Sequence, residues 1–106
     1  MNEREDRYQY YKRIFRDTPM PFAFVDLDLF DENVRAVLER ARGKPIRIAS
    51  KSIRCLSLLR RIQAASPLFR SIMAYSVREA VFLARNGFDD LLVAYPAWRG
   101  EGMCFL

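Results

Sequence analysis

Four short apolar runs, separated by stretches of helical periodicity, constrain this chain more than any other feature. They are Phe22–Val25, Ile46–Ala49, Ser71–Tyr75 and Leu91–Ala94, recurring every 20 to 25 residues. Between them the apolar pattern changes period. Val34, Val37, Leu38 and Ala41 fall at i, i+3, i+4 and i+7; Ile53, Leu56, Leu59 and Ile62 form a second stripe, and Val77, Ala80, Val81 and Ala84 a third. A strand repeats every two residues and a helix every 3.6, so this switching predicts alternating strands and helices. Alternation of that kind predicts βαβ units, right-handed crossovers and a parallel sheet.

The punctuation agrees with the period. Asp28 is a candidate cap for the first of these helices, and Gly43 followed by Pro45 closes it. Ser52 can cap the next helix, which Ser66-Pro67 ends. Ser76-Val77-Arg78-Glu79 has the spacing of a capping box, and Asn86-Gly87 ends that helix. Ahead of the first run, Tyr8, Tyr11 and Phe15 lie on one face of a helix that Thr18-Pro19-Met20-Pro21 stops.

The expected organisation is an N-terminal amphipathic helix over residues 1–17 and one α/β unit over 18–106. Two architectures satisfy it: a small open sheet, or the N-terminal half of a (β/α)8 TIM barrel, a fold of roughly 250 residues. After Pro96 no amphipathic stretch covers the fourth run, which favours a truncated barrel of four parallel strands with helices.

Composition narrows the chemistry. With 51% hydrophobic and 29% charged residues the chain can build a core. Its net charge of +5 permits anionic ligands, but the arginines are scattered and form no basic block, so no nucleic-acid partner is expected. The absence of histidine excludes Ser-His and Cys-His nucleophiles and histidine metal sites from this chain. Cys55 and Cys104 form no CxxC pair, so the expectation is reduced thiols, no metal and a cytoplasmic location. No apolar run approaches the ~20 residues of a membrane span.

Lysine is scarce: of 18 basic residues only Lys12, Lys44 and Lys51 are lysines. A desolvated lysine can lose its proton and act as a nucleophile, which arginine cannot. Parallel α/β folds bind ligands at the carboxyl ends of their strands, where Asp26, Lys51, Ser76 and Tyr95 fall. Asp26 also reads as a turn or cap, Ser76 as the capping serine, and Tyr95 as rim packing. Alternation along the second run places Arg47, Ala49 and Lys51 on one face. No GxGxxG or GxxxxGKS motif is present, and Gly43, Gly87, Gly100 and Gly102 are too dispersed to cradle a phosphate. Asp89-Asp90 precedes the fourth run and reads as a solvated loop.

The run Pro21–Asp28, with Asn33 on the following helix, resembles the opening strand of the alanine racemase N-terminal-domain superfamily. Arg47-Ile48-Ala49-Ser50-Lys51-Ser52 sits where that superfamily keeps its pyridoxal-phosphate lysine. Ser76–Ala80 and Gly87–Pro96 are most similar to the D-threonine aldolase and D-serine dehydratase branch. The resemblance spans about residues 18–96. It implies the N-terminal part of a fold-type III enzyme, commonly a homodimer, using pyridoxal 5'-phosphate on an amino-acid substrate. Lys51 would be both the catalytic and the cofactor-binding residue, through a Schiff base, in racemisation, aldol cleavage or dehydration. Ala49 and Ile53 stand where that branch often carries histidines, and Ser52 where it often carries threonine. A non-catalytic pyridoxal-phosphate binder and a basic interaction module are the alternative readings.

Overall fold

A computed structural model describes residues 2–98. Its elements are α1 (Glu3–Ile14), α2 (Leu27–Ala41), β1 (Ile46–Ala49), a 3₁₀ turn (Ser50–Ser52), α3 (Leu56–Ala65), β2 (Phe69–Ala74), α4 (Val77–Arg85) and β3 (Leu91–Val93). The architecture is mixed α/β, with three parallel strands side by side in chain order.

The sheet has three strands where the sequence predicts four. Phe22–Val25 lies outside helix and strand. Its rings instead pack on the aromatic face of α1: Phe24 lies 4.9 Å from Tyr11 and 4.5 Å from Phe15, and Phe22 lies 5.0 Å from Phe15, centroid to centroid. A four-residue apolar run can be covered by a helix face or by a ladder, and here the helix face covers it. Pro19 and Pro21 beside it have no N–H to give a ladder.

Helix starts differ from expectation in two places. Asp26, not Asp28, caps α2, accepting from the N–H groups of Asp28 at 3.1 Å and Leu29 at 3.2 Å. The chain leaves α2 through Arg42 and Gly43, both at positive φ. Ser52 lies within the 3₁₀ turn, and Cys55 is the residue before α3. Ser76 caps α4 as predicted, accepting from the Glu79 N–H at 3.1 Å.

Strand register fixes the two faces of the sheet. Ile48 aligns with Ile72 and Ile72 with Leu91; Ala74 aligns with Val93. This face is the core, with Ile72 0% exposed, and Leu59 and Ile62 of α3 and Ala80 and Leu83 of α4 pack in the same cluster. Full burial of a side chain such as Ile72 is worth about 1.5–3 kcal/mol. On α4 the expected Ala84 is exposed and Leu83 takes its place in the core. Right-handed crossovers between strands that neighbour each other in chain order put every crossover helix on the same face. The opposite face carries Arg47, Ala49, Ser71, Met73 and Leu92, of which only Ser71 is buried. Leu92 is 47% exposed.

Arg47 spans the amino end of that face. Its guanidinium donates to the carbonyls of Ile72 at 3.3 Å and Asp90 at 3.0 Å, and pairs with the Asp90 carboxylate at 3.1 Å. On the far side of β1, Phe30, Val34 and Val37 of α2 face Ile46 and Ile48 across an apolar groove of about 430 Å³. Val37 is 45% exposed there, because no strand flanks β1 on that side among the described residues. Arg61 of α3 grips Asp31 of α2 through two hydrogen bonds, at 2.8 and 2.7 Å, tying the two helices together. No helix of the described residues is long and apolar enough to cross a membrane.

Candidate functional site at the carboxyl end of the sheet

Three segments meet where the strands end. β1 runs into the Ser50–Ser52 turn, β2 into Tyr75-Ser76, and β3 into Ala94-Tyr95. The turn closes on itself through the Ile53 N–H, which donates to the Ser50 carbonyl at 3.0 Å. Tyr75 and Tyr95 pack edge to face, ring centroids 5.6 Å apart, and join the last two segments.

Ser50 is 1% exposed. Its hydroxyl faces two acceptors, the Met73 carbonyl at 3.2 Å and a Glu79 carboxylate oxygen. The other Glu79 oxygen accepts from the Tyr75 N–H at 3.2 Å. In a reciprocal capping box that glutamate would return to the capping serine's own N–H. Here it reaches one residue further back, leaving its second oxygen for Ser50. Among the described residues no buried side-chain polar atom lacks a partner.

Lys51 stands directly after Ser50 and is exposed. The 3₁₀ turn starts at Ser50, so strict alternation with Arg47 and Ala49 stops before the lysine. Ser50 itself does fall on the helix-covered side with Ile48, as alternation predicts.

A cleft of about 380 Å³ opens between the amino ends of α3 and α4, lined by Ser50, Cys55, Tyr75, Ser76, Glu79 and Phe82 among others. Lys51 does not line it. Cys55 sits at the α3 amino end with its sulfur 3.2 Å from the Ser57 hydroxyl, and that contact holds the thiol below the usual range. Such a thiol carries more thiolate at neutral pH than an ordinary cysteine. The sequence offers little signal for it, because cysteine is not a preferred capping residue.

Of the positions expected at strand ends, Lys51, Ser76 and Tyr95 are brought to one end of the sheet. Asp26 is not, because no strand precedes it. Its carboxylate accepts from the Tyr11 hydroxyl and caps α2. These bonds, the Tyr11 one foremost, hold Asp26 below the ordinary carboxylate range, and the same contact raises Tyr11. Asp90 lies at the opposite end of β3, paired with Arg47. Gly43 and Gly87 follow the ends of α2 and α4 and adjoin no strand end of this site. Gly100, Gly102 and Cys104 lie outside the described residues. No group of three or more potential metal ligands occurs among the described residues.

No protein-family model, no curated protein and no solved structure matches this chain.

Proposed function

We propose that this chain is the N-terminal part of a (β/α)8 barrel enzyme that uses pyridoxal 5'-phosphate on amino acids, with Lys51 as the residue that holds the cofactor. The observation that carries this reading is the position of Lys51, immediately beyond the carboxyl end of β1 and next to the end of β2, at the same end of the sheet as the end of β3. Strand order supports the barrel. Strands added in chain order with all crossovers on one face leave the other face uncovered, and closure into a ring covers it.

The residues present fit one part of the cofactor's needs. Lys51 supplies an accessible amine, whose nitrogen can condense with the cofactor's aldehyde with loss of one water. A phosphate cradle and a partner for the pyridine nitrogen are not found among the described residues, so under this reading they belong to other segments of the barrel. Bound there, the cofactor supplies an electron sink for charge developing at the substrate's α-carbon. With its amine free, Lys51 would take or return a proton at that carbon. Aldol cleavage, dehydration and racemisation all draw on these two capacities.

The test is chemical. Pyridoxal phosphate is added to the full-length protein, the mixture is reduced with borohydride, and the labelled peptides are identified. Label concentrated on Lys51, and lost in Lys51→Ala, is the expected result. Equal labelling of the Lys51→Ala variant overturns the assignment.

A further inference from the structure

We propose that Glu79 is a positioning residue for Lys51, acting through Ser50. This rests on the cofactor role of Lys51 set out above. Glu79 lies on the first turn of α4, 29 residues after Ser50 in sequence, yet its carboxylate meets the Ser50 hydroxyl. It therefore couples the turn that carries Lys51 to the loop after β2 and to the start of α4. Three bonds converge on this one residue: Ser50 on one oxygen, the Tyr75 N–H on the other at 3.2 Å, and its own N–H on Ser76 Oγ at 3.1 Å.

Apart from the Ile53 N–H bond to the Ser50 carbonyl, the packing of Ile53 against the core and the Ser50 contact with the Met73 carbonyl, the turn has few other constraints. Lys51 and Ser52 are exposed, and the ladder to β2 ends at Ala49. Ser50 is the buried point from which the chain swings out of the sheet, and its side chain sets the direction in which the next residue leaves. The serine hydroxyl has one proton and two acceptors within reach. A carboxylate is the stronger acceptor, so Glu79 draws Ser50 towards α4, and Lys51 leaves from that anchor.

The bonding pattern predicts which substitutions matter. In Glu79→Gln the amide oxygen can accept from the Tyr75 N–H and the amide nitrogen can donate to Ser50 Oγ. The serine proton then goes to the Met73 carbonyl, and every group keeps a partner. In Glu79→Ala the Tyr75 N–H loses its acceptor and Ser50 keeps Met73 alone. Ser50→Ala cuts the same link from the other side without touching α4.

The experiment uses the full-length protein and the selectivity of pyridoxal-phosphate labelling after borohydride reduction. Lys12 and Lys44 in the same molecule serve as internal references. The wild type is expected to favour Lys51. Loss of one hydrogen bond to a charged group corresponds to about a tenfold fall in that preference. We expect this fall in Glu79→Ala and Ser50→Ala, with Glu79→Gln close to wild type. A merely structural role would lower overall folding without changing the ratio among lysines of the folded chain. Wild-type preference in Glu79→Ala and Ser50→Ala overturns the proposal, as does a fall in Glu79→Gln equal to that in Glu79→Ala.

If the wild type labels all three lysines alike, the cofactor reading fails, and amide exchange at Ile53 decides the positioning role by itself. Faster exchange in Glu79→Ala and Ser50→Ala but not in Glu79→Gln supports it; unchanged exchange in all three overturns it.

Discussion

Residues 2–26 and residues 44–98 are both rich in apolar side chains, yet only the second region builds a core. In the first, α1 has no buried residue, and Phe22, Phe24 and Val25 remain largely exposed. Their rings touch in a chain from Tyr11 through Phe24 and Phe15 to Phe22, each covered on one side. In the second, strands with period two meet helices with period 3.6, and the apolar side chains of the core cluster are enclosed between sheet and helices. Ile72, Ala74 and Ala80 are sealed from solvent in this way. Burial requires two layers, and the N-terminal region supplies one layer and a strip of extended chain.

The most severe test of this contrast is a cavity at the centre of the sheet. Ile72→Ala is expected to cost about 2–5 kcal/mol, a large share of a small domain's stability. Urea denaturation followed by far-ultraviolet circular dichroism measures it. A midpoint close to that of the wild type would mean that the sheet core is not what holds the fold.

A milder change tests the other side. Phe24→Ala removes a ring that touches Tyr11 and Phe15. Such pairs are worth about 0.5–1.5 kcal/mol beyond their area, and the half-exposed site can collapse. The expected result is a loss of near-ultraviolet tyrosine signal with the urea midpoint of the sheet region little moved. A midpoint shift as large as that of Ile72→Ala would erase the distinction between the regions.

The smallest expected effect is electrostatic and sits at the end of the N-terminal region, where Asp26 joins α1 to α2. Asp26 titrates below its ordinary range in the folded chain, so its bonds stabilise the fold above the unfolded value and are lost as pH falls through the folded one. Tyr11 titrates above its ordinary range, so its share is present below about 10 and is lost as pH rises through the folded value. The corner between α1 and α2 is therefore expected to hold between the two limits and to loosen outside them. Tyr11→Phe should move the acid limit upward, towards the ordinary carboxylate value, in a titration followed by nuclear magnetic resonance. An unmoved limit would mean that the helix-capping bonds alone hold Asp26 down.

Features set by local pattern were readable from the sequence. Ser76 three residues before Glu79 announced the α4 cap, and the runs at Ile46, Ser71 and Leu91 became the three strands. Lys51 fell at a strand end as the alternation required. What was hidden depended on distant choices. Phe22–Val25 has the same apolar pattern as a strand, and only its aromatic neighbours on α1 decide otherwise. Val37 lies on the apolar stripe of α2, but its exposure depends on whether a strand lies beside β1. The Ser50–Glu79 contact joins residues 29 apart, and no periodicity encodes it.

The sheet order β1-β2-β3 repeats the order of the chain, and this has a consequence for how the molecule comes into being. No strand must be threaded between two that are already paired. As the chain leaves the ribosome, each new strand finds its single neighbour in place, and only one helix must fold back to bring them together. Each parallel pairing still spans 19 to 24 residues, Ile72 to Leu91 and Ile48 to Ile72, and non-local pairing of that kind forms more slowly than the contacts within a helix. Among the described residues β3 has a neighbour on one side only, so a strand added beyond it would leave the existing pairs undisturbed.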